Sequence, residues 1–185
     1  MSALSLISCC LGICSVVLAS RRSILTFAFG FAQVITYTWL CYTQRFYGEI
    51  AINAYYFGTM IYGVYVWKKR LKEESGKWKV EPRSLSVSVI AIIVVTTLLG
   101  SWLAGWGLAA FTDDTQPYLD AFTTVPALVA QVLMILVYRE HWFIWLAVDI
   151  VSVILWVRAG DWFMVTQYSI WCANCIYGII SWRKT

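Results

Sequence analysis

An aspartate in the middle of an apolar run is where the chemistry of this sequence begins. Asp149 lies inside residues 141–157, where the only other titratable side chain is His141 at the edge. An ionised carboxylate at the centre of a membrane-spanning helix costs about 2.5–3.5 kcal/mol on insertion scales. A residue kept there faces a cavity or a polar partner, where it accepts hydrogen bonds or balances a cation. The bland alternative is a structural hydrogen bond between helices. Trp142, Trp145, Ser152 and Trp156 recur with Asp149 at helical spacing, on one face of one helix. Gln167, Trp171, Asn174 and Gly178 do the same in the following segment, and Asp120, Thr124, Ala127 and Gln131 in the preceding one. Gln33 and Asn53 add two amides in earlier segments. Amides that only tie helices together are worth about 0.6 kcal/mol each. Rings gathered with neutral amides on matching faces are a lining for a flat, polar or cationic ligand. The rings supply stacking and a cation–π contribution of about 0.5–2 kcal/mol, and the amides hydrogen-bond hydroxyls.

Other chemistries find little support. One histidine, no metal-ligand pairing and no nucleophile beside a base leave nothing for catalysis, so no enzyme, no metal and no cofactor are expected. Cys9, Cys10, Cys14, Cys41, Cys172 and Cys175 all fall in apolar segments, where cysteine behaves as a small hydrophobe. Cys172-x-x-Cys175 has redox or zinc spacing but lacks a second pair, so it is read as helix packing. The net charge of +4 is no nucleic-acid signal, because the basic residues sit in loops and at the end of the chain.

The elements that must position these residues are membrane helices. Of 185 residues, 61% are hydrophobic and 13% charged, against about a quarter charged in a soluble domain. A span needs about 20 apolar residues, and seven segments are predicted: 3–20, 24–43, 49–67, 84–104, 119–138, 141–157 and 162–182. The first is not read as a signal peptide, since its basic residues, Arg21 and Arg22, follow it. With the amino terminus outside, twelve basic residues fall on the inner side and only Arg45 and Arg158 on the outer. That asymmetry supports the orientation, a cytoplasmic carboxy terminus and the count of seven.

A phrase occurs twice. Tyr62-Gly63-Val64-Tyr65-Val66-Trp67 returns loosely as Tyr177-Gly178-Ile179-Ile180-Ser181-Trp182, an offset of 115 residues, and each copy runs into basic residues. Two spans ending alike lie the same way round, which suggests a duplication with parallel halves. A three-helix unit, being odd, would insert its copy upside down; one extra helix between copies restores the direction. The expected fold is therefore all-α and integral to the membrane, with two parallel three-helix bundles joined by a linker helix. The parts are a first bundle (1–67), a cytoplasmic basic loop (68–83), the linker (84–112) and a second bundle (113–185).

These residues resemble a known family. Trp142-Phe143-Ile144-Trp145-Leu146-Ala147-Val148-Asp149 is similar to the Trp-x-x-Trp-x-x-x-Asp signature of PnuC-type vitamin transporters. Asp120-Ala121-Phe122-Thr123-Thr124 with Ala130-Gln131 resembles the family's fifth-helix motif, and Tyr47-Gly48-Glu49 leading to Tyr62-Gly63 and Trp67 its third helix. The sequence departs from the family pattern at Asn53, Val64 and His141. The resemblance implies a carrier of the bacterial inner membrane for nicotinamide riboside, serving NAD biosynthesis. It also implies a SWEET-like 3+1+3 fold, a homotrimer and binding at the bundle centre by facilitated diffusion. By the same resemblance Trp142 and Trp145 stack on or close over the nicotinamide ring, Gln131 and Asn174 hydrogen-bond the ligand, and Asp149 orders the site. Trp171, Asn53 and Gln33 complete the expected substrate-binding set. The partners expected are the solute, the bilayer and further copies of the chain, with no nucleic acid.

Thiamine or riboflavin is the alternative cargo within that family. A SWEET-type sugar carrier would place prolines in several helices, whereas Pro126 is the only proline in a predicted span. A retinal-binding receptor would need a lysine inside a span, and every lysine lies outside. Asp149 has no second carboxylate to form an ion site, so passive uptake by alternating access is expected.

Overall fold

The computed structural model describes residues 3–43, 47–73, 79–113, 116–160 and 162–183. These form seven helices: α1 (Ala3–Ser20), α2 (Leu25–Thr43), α3 (Tyr47–Glu73), α4 (Val87–Phe111), α5 (Pro117–Ile135), α6 (His141–Ala159) and α7 (Trp162–Ser181). Among the described residues there is no strand, only an isolated parallel bridge between Arg83 and Tyr138. α4 and α5 each combine the length and apolar composition needed to cross a bilayer, while α1, α2 and α6 contain shorter apolar runs. The chain divides into two compact units. One holds Met1–Pro82 with Ile135–Val137, the other Arg83–Met134 with Tyr138–Thr185.

The helix ends have local causes. α1 closes on Arg22, which takes the left-handed region (φ 62°). The Ser23 N–H then reaches back to the Leu18 carbonyl (3.0 Å) and the Arg22 N–H to Ala19 (2.9 Å), satisfying two terminal carbonyls. α5 closes the same way: Val137 is left-handed (φ 65°), and the Tyr138 N–H reaches the Leu133 carbonyl at 2.9 Å. The fifth segment therefore ends at Ile135 and not at 138 as expected. α3 runs six residues beyond its predicted end, because Lys68, Lys69, Arg70 and Leu71 stop an apolar run but are good helix formers. The first six residues of the expected basic loop, 68–73, are thus helix. α4 starts after Ser86, whose side chain accepts from the Val89 N–H.

In the first unit α2 packs against both α1 and α3. Ser15 and Thr26 tie α1 to α2 reciprocally, each hydroxyl donating to the other's carbonyl (2.9 and 2.8 Å). Phe27 meets Trp67 edge to face, centroids 5.2 Å apart. Gly63 is what admits Phe27: a Cβ there would lie 2.6 Å from its ring. In the second unit α6 packs against α7. Trp142 meets Trp182 edge to face at 6.0 Å, and a Cβ on Gly178 would overlap the Trp142 ring. Trp67 and Trp182 are both fully buried. Left-handed residue, ring, glycine and closing tryptophan thus recur at Arg22, Phe27, Gly63 and Trp67 and at Val137, Trp142, Gly178 and Trp182, every pair 115 positions apart.

Polar side chains are buried beside an apolar core, and large apolar side chains are left exposed. Asn53, Ser101, Gln131, His141, Asp149 and Ser152 are buried, while Val87, Ile92, Trp102, Trp106 and Phe111 of α4 are more than half exposed. So broad an apolar exterior around polar side chains suits a hydrocarbon solvent.

Candidate functional site

α6 sorts its residues by face. Trp142, Asp149 and Ser152 are buried and Trp145 is half-buried, whereas Phe143, Ile150 and Ile154 stand out on the opposite side. α7 does likewise, with Cys175 and Gly178 buried, Trp171 and Asn174 half-buried, and Ile170, Ile176 and Ile180 exposed. Helical spacing therefore placed the chemistry-bearing side chains on the inward faces of both helices.

Asp149 is 4% exposed. The Cys175 thiol donates to its Oδ2 at 3.3 Å, and among the described residues the thiol is the carboxylate's only hydrogen-bond partner. This revises the reading of Cys175 as mere packing: the sulfur packs and also donates. Cys9, Cys10, Cys14, Cys172 and Cys175 are all free thiols, and no cluster that could hold a metal occurs among the described residues.

The indoles divide by environment. Trp142, 2% exposed, is wedged between Gly178, His141 (centroids 4.5 Å) and Trp182. Trp171 is half-buried and meets Tyr168 edge to face at 5.0 Å, with its Nε1 donor buried and unpartnered among the described residues. The Trp142 Nε1 is likewise buried without a partner among the described residues. Trp145 keeps part of its surface open. The side chain of Trp156 lies outside the described set. Gln131 of α5 is 6% exposed. In the first unit Asn53 is buried in α3, and Gln33 of α2 is half-buried beside Gly12 of α1.

His141 is a residue that sequence reasoning left without a role. It is fully buried, its Nδ1 is 2.6 Å from the Tyr138 carbonyl, and its ring sits between Trp142 and Trp182 (4.7 Å). The carbonyl calls for a proton on Nδ1, which leaves Nε2, unpartnered among the described residues, as an acceptor in the neutral ring. Beside it, Glu140 accepts the Leu85 N–H (3.2 Å) and Arg139 donates its N–H to the Arg83 carbonyl (3.0 Å), stitching the segment before α4 to the α5–α6 turn. Arg139 and Glu140 directly precede the start of α6, and that adjacency was the available signal.

Comparison with known proteins shows the family. The sequence profile of the nicotinamide mononucleotide transporter family matches residues 2–184. The nicotinamide riboside transporter PnuC of Haemophilus influenzae is 32% identical over 98% of this chain and 79% of its own length. The protein of the same name from Neisseria mucosa is 33% identical, covering 94% of this chain and 69% of its own. A crystal structure of the vitamin B3 transporter PnuC superimposes with a TM-score of 0.78 at 31% identity, covering 97% of this chain and 80% of that one.

Proposed function

We propose that this chain, which belongs to the nicotinamide mononucleotide transporter family, is a membrane carrier for nicotinamide riboside. The observation that carries the reading is near-full-length similarity to nicotinamide riboside transporters, at 32–33% identity, together with a solved relative of the same fold. The exposed apolar surface supports it, since it is left for lipid while Asn53, Gln131 and Asp149 are buried. The protein is a carrier and not an enzyme.

The finer parts of the proposal rest on sequence and family. Three helices, a linker (α4) and three helices form two like-oriented bundles, with the amino terminus outside and the carboxy terminus in the cytoplasm of a bacterial inner membrane. The chain works as a homotrimer that feeds NAD biosynthesis. In the second unit we assign to the solute Gln131 of α5, Trp145 and Asp149 of α6, and Trp171 and Asn174 of α7. Trp142 braces the start of α6 through its wedge on Gly178. In the first unit the amides of Gln33 and Asn53 are assigned to the solute on sequence grounds. A pyridinium over indoles gains cation–π energy, and ribose hydroxyls suit amides and a carboxylate. Asp149 stands without a second acid to form an ion site, which supports facilitated diffusion by alternating access.

Uptake of labelled nicotinamide riboside into proteoliposomes tests this. Internal and external concentrations are expected to equalise with no ion gradient imposed, and unlabelled nicotinamide riboside is expected to compete better than thiamine or riboflavin. Uptake that needs a sodium or proton gradient to reach equilibrium overturns the passive mechanism, and preference for thiamine or riboflavin overturns the cargo.

A further inference from the structure

We propose that Cys175 is a positioning residue for substrate: its thiol holds one oxygen of Asp149 so that the carboxylate meets the solute with the other. This rests on the reading of Asp149 as a substrate contact. The geometry is a buried Sγ–H···Oδ2 contact of 3.3 Å between α7 and α6, with Cys175 2% and Asp149 4% exposed. Oδ1 has no partner among the described residues, so one carboxylate oxygen is engaged and one is not. A thiol is a weak donor that aims a carboxylate without neutralising it, whereas a lysine or arginine would hold it as an ion pair.

The internal repeat argues that the pair is there for function and not for folding. The residues 115 positions earlier are Val34 and Met60, both buried, 6% and 7% exposed. The packing role is met there by apolar side chains, and α2 and α3 still close together through Met60, whose Sδ would lie 2.9 Å from a Cβ on Gly30. A fold that accepts valine and methionine at these places has no structural need for a carboxylate and a thiol. Replacing both partners by apolar groups is tolerated in such sites, whereas leaving one polar group alone is not.

The test is initial-rate uptake by the full chain in proteoliposomes, with nicotinamide riboside, thiamine and riboflavin each offered. It is read on whichever cargo the wild type accumulates, so that a wrong cargo and a wrong role for Cys175 give different results. Cys175→Ala is expected to raise KM about 3- to 10-fold, and Cys175→Ser, which keeps a donor, to stay within about 3-fold of wild type. Infrared spectroscopy supplies a readout independent of transport. The S–H stretching band that disappears in Cys175→Ser is expected to shift to higher frequency in the Asp149→Val background. An unshifted band, Cys175→Ala with wild-type KM, or alanine and serine variants equally impaired, each overturns the proposal.

Discussion

The buried indole N–H of Trp171 makes a prediction whose two halves point in opposite directions. The donor has no partner among the described residues, and an unpaired buried donor costs about 1–3 kcal/mol of folding free energy. Trp171→Phe removes that cost and keeps a ring against Tyr168, at the expense of a smaller side chain on a half-buried site. The unloaded variant should therefore be as stable as wild type or more so. If the N–H is instead satisfied by solute, the variant loses one neutral hydrogen bond on binding. At about 0.5–1.5 kcal/mol, and 1.4 kcal/mol per decade, the loss is about 2- to 12-fold in Kd. The assay is calorimetric titration of purified protein with nicotinamide riboside, paired with thermal unfolding in the absence of solute. The expected result is an unchanged or raised Tm with weakened binding. A wild-type Kd would refute the assignment of Trp171 to the site, and a fall in both Tm and affinity would refute it in favour of plain packing.

Three further predictions concern stability and assignment. Trp142→Ala should lower Tm severely, by loss of a buried ring worth about 3–5 kcal/mol, while Trp145→Ala, on a half-buried residue, should leave the fold intact and weaken solute binding; thermal unfolding and titration of both variants separate the two roles. Gly63→Ala and Gly178→Ala should each destabilise by about 1–3 kcal/mol, because the added methyl overlaps Phe27 or Trp142, and parallel Tm losses are the expected mark of the shared arrangement. Arg22→Gly should raise stability by about 0.5–1 kcal/mol in thermal unfolding, since glycine occupies the left-handed region without the Cβ penalty that Arg22 bears at φ 62°.

Much of the helical layout was legible because lipid-facing segments must be long and apolar, and that constraint is written into composition. Segment ends were legible only where the limiting residue also limits the helix. α1 stops where the apolar run stops, at Ser20. α3 does not, because hydropathy falls at Lys68 whereas helix propensity persists to Glu73. Nothing announced the left-handed Val137, since valine is among the residues least suited to that conformation and carries no turn signature. Within the candidate site, Asp149 was conspicuous by its expense in an apolar run. Cys175 was hidden because a thiol reads as a hydrophobe, and only its placement opposite a carboxylate reveals the donor. Periodicity put Trp142 and Trp145 on one face but could not tell which indole is sealed. That depended on Gly178, a residue on another helix.

The matching turns and wedges also bear on ancestry. Residues 22–67 and 137–182 are equal in length, and their corresponding landmarks fall in step from end to end. No net insertion or deletion separates the two stretches, although nearly all their side chains have diverged. Each is thus a cassette that could be exchanged by recombination without a shift of register. The first stretch has an apolar interior at Val34 and Met60, where the second carries Asp149 and Cys175.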